Sequence, residues 1–276
     1  MNSKTVTALL GGLSFLLFIV VFYPALDILV TKWFNSDEYT HAFLVLPIIC
    51  YMVWTKKELL IKSKSSFPII GISTLLVALL LYYFSLLTEV HTIILLSMFL
   101  AIVGILIFLT GFEGVKYLLT PLILLLILIP IPEQLYTLLT FPLQLKVSET
   151  SETILRMFHI PMLRQGNIMQ IPGMSFEVIE ACSGLRSVVS LLTLSILMGS
   201  FTVKRLSSKT ILFFVSIPLA IFVNIIRVVT MILAYHFFRL DLTEGVWHTV
   251  MGLLVFVIAI ATLFLLQNIL ESWECR

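Results

Sequence analysis

Three residue types that together perform acyl transfer occur in the second half of this 276-residue chain. Cys182 stands in the stretch VIEACSGLRSVV, Arg227 lies inside a long apolar run, and His248 opens the next apolar run. A thiolate is a nucleophile, an imidazole moves protons near neutral pH, and a guanidinium can stabilise an oxyanion. These types predict attack on a peptide carbonyl, a thioester and its resolution by a second nucleophile. A protease and a transpeptidase both remain open.

Cys182 is the strongest candidate for the nucleophile among the three cysteines of the chain. Cys50 and Cys275 are interpreted as apolar filler or incidental thiols. The topology predicted below leaves Cys182 alone on the outer face, where an unpaired thiol is a liability unless it reacts. Glu180 and Arg186 flank it as candidate supporting residues. Arg186, one helical turn later, would either favour the thiolate or anchor the helix at the interface.

Arg227 and His248 each have two interpretations when taken alone. An arginine inside a span costs at least about 2.5–3.5 kcal/mol on insertion scales, which indicates function, but snorkelling to the outer headgroups is the alternative. Asn224 lies on the same helix face and is a candidate to hold the guanidinium. His248 beside Trp247 is also typical of an interfacial aromatic belt. Glu244 is a candidate to orient the imidazole, although interaction with the helix N-terminus explains it more simply.

The composition is typical of a polytopic membrane protein. Hydrophobic residues make up 60% of the chain and charged residues 12%, against about 25% charged in an average soluble domain. The mean hydropathy is +1.12. A net charge of +2 gives no reason to expect a nucleic-acid partner, and no cofactor or metal site is predicted. The first apolar stretch is too long for a signal-peptide core, so we expect a retained helix.

The apolar stretches predict an all-α polytopic membrane protein, since a spanning helix needs about 20 mostly apolar residues. We expect a single transmembrane domain over residues 1–276 with about eight helices. The predicted spans are Val6–Val30, Ala42–Thr55, Pro68–Leu87, Ile93–Thr110, Tyr117–Leu135, Ser183–Phe201, Ile211–Phe237 and Val246–Leu266. Residues 136–182, between the fifth and sixth spans, form a predicted extracytoplasmic insert.

Basic residues set the predicted orientation, because lysine and arginine concentrate in cytoplasmic loops. With the N-terminus inside, eight spans place two basic clusters and the C-terminus in the cytoplasm. The clusters are Lys56, Lys57, Lys62 and Lys64, and Lys204, Arg205 and Lys209. Tyr39 and His41 then lie outside as candidates to line the same pocket, although an interfacial belt explains them more simply.

The same topology brings the three candidate residues to one depth. Cys182 falls at the outer end of the sixth span and His248 at the outer start of the eighth. Arg227 is 18 residues beyond Lys209, or about 27 Å along a helix. Because the hydrocarbon core is about 30 Å thick, Arg227 is expected near the outer boundary as well.

The insert is predicted to contain a helix lying on the membrane surface, followed by a β-hairpin. Apolar residues recur near the helical period, with polar residues opposite them. The apolar positions are Leu143, Val147, Ile154, Leu155 and Phe158, and the polar ones are Ser148, Glu149, Thr150 and Glu152. The runs GNIMQI and SFEVIE are separated by Pro172-Gly173, which predicts a turn. The second strand would lead directly into Cys182.

Three segments resemble the catalytic segments of the exosortase/archaeosortase family: EACSGLR at Glu180–Arg186, NIIR at Asn224–Arg227 and WHTVMG at Trp247–Gly252. The upstream stretch EYTHAFLVLPIICYMVW, the motif IPIPEQL and the text from FPLQLKVSET to EACSGLRS resemble its early and middle parts. The similarity extends from about Glu38 to Ile258.

The resemblance implies a membrane-embedded, cysteine-dependent sorting enzyme. Its substrates would be exported proteins that end in a short signature motif, a transmembrane helix and a basic tail, processed on the outer face in connection with exopolysaccharide-associated export. The family's cysteine falls on Cys182, its arginine on Arg227 and its third member on His248. Histidine at the third place is similar to the bacterial branch, which implies a bacterial plasma membrane. We expect the chain to lack the extra C-terminal soluble domain of some relatives, which leaves the subfamily and its signature motif open. The acceptor stays open as well.

Two other functions are compatible with a multi-span protein. A transporter or channel would account for the spans and for an intramembrane arginine, but the sequence has no paired repeats or twin interrupted helices that would mark a midplane site. A non-catalytic assembly factor for exopolysaccharide export would need partners and no thiol. A covalent adduct between the cysteine and a substrate would favour an enzyme over both of these functions.

Overall fold

The computed structural model describes residues 3–36, 38–63, 67–178, 185–243 and 245–274. The chain is 81% helical, which gives an all-α membrane protein that also carries one small sheet. It divides into two compact units, Met1–Pro132 and Glu133–Arg276.

The first unit contains seven helices among its described residues. They are α1 (Ser3–Val21), α2 (Tyr23–Asn35), α3 (Ala42–Thr55), α4 (Lys57–Lys62), α5 (Pro68–Thr88), α6 (His91–Tyr117) and α7 (Leu119–Ile127). The expectation of one continuous helix over Val6–Val30 is wrong, because α1 and α2 are bent by 66° at Phe22. Pro24, in the first turn of α2, lacks an N–H and cannot continue the preceding helix. Tyr82 Oη donates to the Val21 carbonyl at the break, at 2.8 Å.

Helices α5 and α6 pack against each other through glycine. A Cβ atom on Gly71 would collide with the backbone nitrogen of Phe108, and one on Gly104 would lie 2.9 Å from the Leu75 nitrogen. Only a residue without a side chain permits this approach of two backbones, as in small-residue contacts between membrane helices.

The predicted fifth span, Tyr117–Leu135, is not a single helix. Helix α7 ends at Ile127, and the next helix begins at Glu133. Pro130 and Pro132 stand in the interval. Proline removes a backbone donor and pushes the residue before it out of the helical region, so the apolar run cannot remain helical through this interval.

Four helices of the described chain are long and apolar enough to cross a membrane: Pro68–Thr88, His91–Tyr117, Leu206–Phe238 and Gly245–Glu274. The bent pair α1–α2 makes a fifth if it counts as one span. Ala42–Thr55 and Arg186–Phe201 are shorter apolar helices. The protein is therefore a multi-pass membrane protein, whereas the number of eight spans and the orientation of the termini stay predictions.

The second unit begins with α8 (Glu133–Met157), which covers the predicted surface helix and starts earlier. Its buried side differs from the expected one. Ser148, assigned to the polar side, is fully buried and donates to the Leu145 and Gly166 carbonyls, whereas Phe158 lies beyond the helix and is exposed. A small polar residue can be buried when its side chain hydrogen-bonds to the backbone. The helical periodicity of the apolar residues alone does not reveal such a position.

Three short antiparallel strands follow α8: β1 (Leu163–Gln165), β2 (Ile168–Ile171) and β3 (Met174–Glu177). The β2–β3 hairpin turns at Pro172-Gly173, where the sequence predicts it, and Gly173 takes a φ of +93° there. Strand β1 was not expected. Its signal is the dipeptide Gly166-Asn167 before β2, in which Gly166 has a φ of +66°.

The remaining helices are α9 (Leu185–Phe201), α10 (Leu206–Phe238) and α11 (Gly245–Glu274), and α10 packs against α8, α9 and α11. Two apolar clusters lie along α10. One joins its C-terminal half to α8 and the sheet, and the other joins its N-terminal half to α9 and α11. At the far end, the Glu274 carboxylate accepts from the Lys204 and Arg205 backbone N–H groups, at 2.8 and 2.9 Å. This contact caps α10 and ties it to the end of α11.

Candidate active site

Arg227 is a buried cation in α10, with 9% of its surface exposed. It lies between the two apolar clusters, since Val223 belongs to one and Val228 to the other. A guanidinium in such a position keeps its charge and must be held by polar partners.

His248 supplies one of these partners. The Arg227 Nη2 atom lies 2.7 Å from His248 Nε2. A guanidinium can only donate, so Nε2 accepts and the neutral imidazole carries its proton on Nδ1. The Nδ1 atom is buried.

A small cavity of about 20 Å³ adjoins the arginine, enough for one water molecule. Its polar lining comes from Ser187 of α9 and from Asn224 and Arg227 of α10, and Gly252 closes it from α11. A Cβ on Gly252 would lie 3.7 Å from the Arg227 Cζ, so the glycine leaves free space beside the guanidinium. Three helices therefore meet at this point.

Asn224 and Arg186 complete the cluster. Asn224 is 3% exposed and lies one turn before Arg227 on the cavity wall. The positive charge of Arg186, at the start of α9, acts on the imidazole of His248. Two guanidinium groups and an imidazole thus converge where α9 begins, an arrangement suited to binding negative charge that develops on an oxygen atom.

The sheet fixes the chain just before the segment that contains Cys182. Val178 donates its N–H to the Asn167 carbonyl at 2.9 Å, and Asn167 Nδ2 donates to the Val178 carbonyl at 3.3 Å. Tyr235 Oη, on α10, donates to the Gly173 carbonyl at 3.0 Å. The ring of Phe176 meets Tyr235 edge-on at 5.9 Å. The hairpin is thereby attached to the helix that carries Arg227.

A family model described as transmembrane exosortase (Exosortase_EpsH) matches residues 33–265. The chain belongs to the transmembrane exosortase family. No curated protein and no solved structure matches it. Membership of the exosortase family agrees with the resemblance of the three motif segments and supports a role like that of a sorting enzyme.

The structure brings together only part of the predicted site. Arg227, His248, Asn224 and Arg186 gather in the second unit of this exosortase. Cys182, Glu180 and Glu244 lie outside the described residues, so their predicted placement is untested.

Tyr39 and His41 lie in the first unit, where both are partly or fully buried. Tyr39 Oη accepts from the Ile131 N–H at 3.1 Å. Burial raises the pKa of Tyr39 and lowers the pKa of His41, so both side chains are neutral near pH 7. The Tyr39 contact ties the chain after α2 to the proline-containing segment after α7.

Sequence reasoning missed Asn167, Tyr235 and Gly252. Asn167 follows Gly166 in a turn dipeptide, which is a signal that could have singled it out. Gly252 ends the motif WHTVMG, one helical turn after His248, so spacing alone places it beside His248. Tyr235 has no local signal, because its contact to Gly173 spans 62 residues.

Proposed function

We propose that this exosortase is a membrane-embedded cysteine peptidase or transpeptidase that cleaves C-terminal sorting signals of exported proteins through a Cys182 thioester. The observation that carries the proposal is the 2.7 Å contact between Arg227 and His248, two residues 21 positions apart on neighbouring helices. A buried cation beside an imidazole is costly to maintain for structure alone.

Covalent geometry supports Cys182 as the third member. Cys182 precedes Leu185, the first residue of α9, by three positions, so its Cα stays within about 11 Å of the Leu185 Cα. Ser187, two residues into α9, lines the same cavity as Arg227. The thiol is therefore tethered at the end of α9 that adjoins the Arg227–His248 pair.

The proposed chemistry assigns each group one task. When substrate binds, the Arg227 guanidinium turns its donor from His248 Nε2 to the substrate carbonyl, and the freed Nε2 takes the thiol proton. The Cys182 thiolate then adds to the carbonyl carbon, and Arg227 donates hydrogen bonds to the oxyanion. When the C–N bond breaks, His248 returns the proton to the leaving amine and a thioester remains. His248 then removes a proton from the acceptor, which attacks the thioester, and the thiol recovers this proton. Water as acceptor gives a peptidase, and an amine or hydroxyl gives a transpeptidase.

The length of α10 supports placing the site at one membrane surface. Arg227 is 21 residues after Leu206, or about 32 Å along the helix, which is close to the thickness of a hydrocarbon core. Lys204 and Arg205, capped by Glu274, mark the other end of the helix. Basic residues favour the cytoplasmic side, so we place the site on the outer face of a bacterial plasma membrane.

The substrate proposed for this site is an exported protein with a short motif, a transmembrane helix and a basic tail. Its helix would enter laterally among the spans and bring the motif to the outer boundary, while its basic tail stays inside. A site that excludes water would favour transfer to a bound acceptor over hydrolysis.

Intact-mass analysis of exported proteins in the native host tests the proposal. Strains carrying wild type, Cys182→Ala and Cys50→Ala are compared, and Cys50, an exposed cysteine of α3, is the matched control. We expect full-length precursors with a C-terminal helix and basic tail to accumulate only in Cys182→Ala. Equal processing in all three strains would overturn the proposal and favour a transporter or a non-catalytic assembly factor.

A further inference from the structure

Among the described residues, strand β3 has a pairing partner on one edge and none on the other. Its pairing partner β2 lies on one side, with Met169 opposite Phe176 and Gln170 opposite Ser175. On the other side no described residue pairs with β3. An unpaired edge is a row of donors and acceptors that favours pairing with an added chain.

The hydrogen-bond pattern identifies which backbone groups point outward. The N–H of Val178 bonds to the Asn167 carbonyl, and bonded pairs alternate along an antiparallel ladder. The bonded positions of β3 are therefore Met174, Phe176 and Val178. The N–H and C=O groups of Ser175 and Glu177 point away from β2, and both residues are exposed. Among the described residues these groups have no backbone partner.

The other end of the sheet is held by α8. This helix packs against β1 and β2, and the Arg164 side chain bonds both to Glu152 of α8 and to the Gly166 carbonyl. Ser148 of α8 donates to the same Gly166 carbonyl. Of the two outer strands, β3 is the one next in sequence to the segment that contains Cys182, which favours its edge for an incoming substrate strand.

Strand β3 is fixed by packing and by a hydrogen bond, and it precedes the proposed nucleophile in the sequence. Phe176 and Val178 are buried in the cluster shared with α10, and Tyr235 holds the turn at Gly173. A preorganised edge binds an extended peptide with little ordering cost of its own. Cys182 follows Glu177 by five residues, so its Cα lies within about 18 Å of the Glu177 Cα.

We propose that the free edge of β3 binds the substrate by strand addition, so that the extended segment of the exported protein next to the scissile bond becomes a fourth strand. This inference rests on the proposed function. Main-chain hydrogen bonds from Ser175 and Glu177 would hold the peptide in register and extended, as in other β-augmentation complexes. Binding of this kind accepts many side chains, which suits an enzyme that processes several exported proteins. The apolar side chains of the added strand would lie on the same face of the sheet as Phe176.

Proline substitution at Ser175 tests the edge directly. Ser175→Pro removes an outward N–H and no β2–β3 hydrogen bond, a position where edge strands tolerate proline. Ser175→Ala loses the same hydroxyl and keeps the N–H, so the ratio of the two rates isolates the backbone donor. The probe is the exported precursor that accumulates in the Cys182→Ala strain. We expect Ser175→Pro to process it at least about fivefold more slowly than Ser175→Ala, the effect of one hydrogen bond.

Equal rates for the two variants would overturn the strand-addition inference while leaving the proposed function intact. If no precursor accumulates in Cys182→Ala, the proposed function itself fails. Phe176→Pro, which breaks a bonded pair of the ladder, shows the loss of thermal stability that a disrupted sheet gives.

If Ser175→Pro loses as much stability as Phe176→Pro, a crosslinking measurement decides. In the Cys182→Ala background, p-benzoylphenylalanine replaces Glu177 of β3 or, on the opposite strand β1, the exposed Leu163. We expect crosslinks to the accumulated precursor only from position 177. Crosslinks from both positions or from neither would overturn the inference.

Discussion

Replacing Arg227 by methionine should slow processing strongly and leave the fold stable. The charge of Arg227 costs at least about 2.5–3.5 kcal/mol to place within a span, and methionine removes this cost while filling similar space. The substitution leaves His248 Nε2, 2.7 Å from the guanidinium, without that donor, which costs about 1–3 kcal/mol. The free energy of unfolding should therefore fall by no more than about 1 kcal/mol, and it can rise.

The effect on catalysis should be much larger. Loss of one oxyanion donor costs about 100- to 1,000-fold in rate in other acyl-transfer enzymes. Thermal unfolding in nanodiscs measures stability, and intact mass of precursor against time measures processing. Arg239→Met is the control, because Arg239 is an exposed arginine at the end of the same helix. A loss of more than about 3 kcal/mol of stability in Arg227→Met would refute the reasoning and make Arg227 a structural residue.

Three further predictions follow from contacts in the two units. The Arg164 guanidinium holds the pKa of Glu152 below its ordinary value of 4.5, so this ion pair stabilises the fold above that pH and loses its effect as the pH falls through the lowered pKa. Glu152→Gln should lower stability by up to about 1 kcal/mol at pH 7, and thermal unfolding should show this difference vanish on acidification. Gly71→Ala should destabilise the first unit by about 1–3 kcal/mol, measured by thermal unfolding, because its Cβ has no space against α6. A Cβ on Gly252 would already touch the Arg227 guanidinium at 3.7 Å, so the Cγ carbons of Gly252→Val should push it aside. This variant should process precursor about 100-fold more slowly, and wild-type rates would contradict this account.

The hydropathy of the sequence predicts the long helices well and their interruptions poorly. Helix α3 has the expected bounds, and α5 and α10 lie close to theirs, because a long apolar run in a membrane has few alternatives to a helix. Helices α3 and α10 even continue through Pro47 and Pro218. The failures occur at prolines. Pro24 separates α1 from α2, and Pro130 and Pro132 end the run after α7, although the apolar pattern continues through both places.

Part of the candidate site could be predicted, because the depth of a residue in the membrane can be estimated by counting residues along its helix. Counting residues brought Arg227 and His248 to one level, and the structure places them in contact. Counting does not reveal residues such as Asn167 and Tyr235, whose side chains donate hydrogen bonds to backbone carbonyls. These contacts depend on how the hairpin packs on α10, which no local pattern encodes.

The most direct test of the central claim is detection of the acyl-enzyme on Cys182. Purified protein in nanodiscs is mixed with the precursor that accumulates in the Cys182→Ala strain, quenched in acid, digested and analysed by mass spectrometry. The account predicts an adduct on the Cys182 peptide whose mass equals that of the C-terminal digestion peptide of the truncated substrate less one water, and which neutral hydroxylamine removes. Truncated substrate formed without any adduct on Cys182 would contradict it.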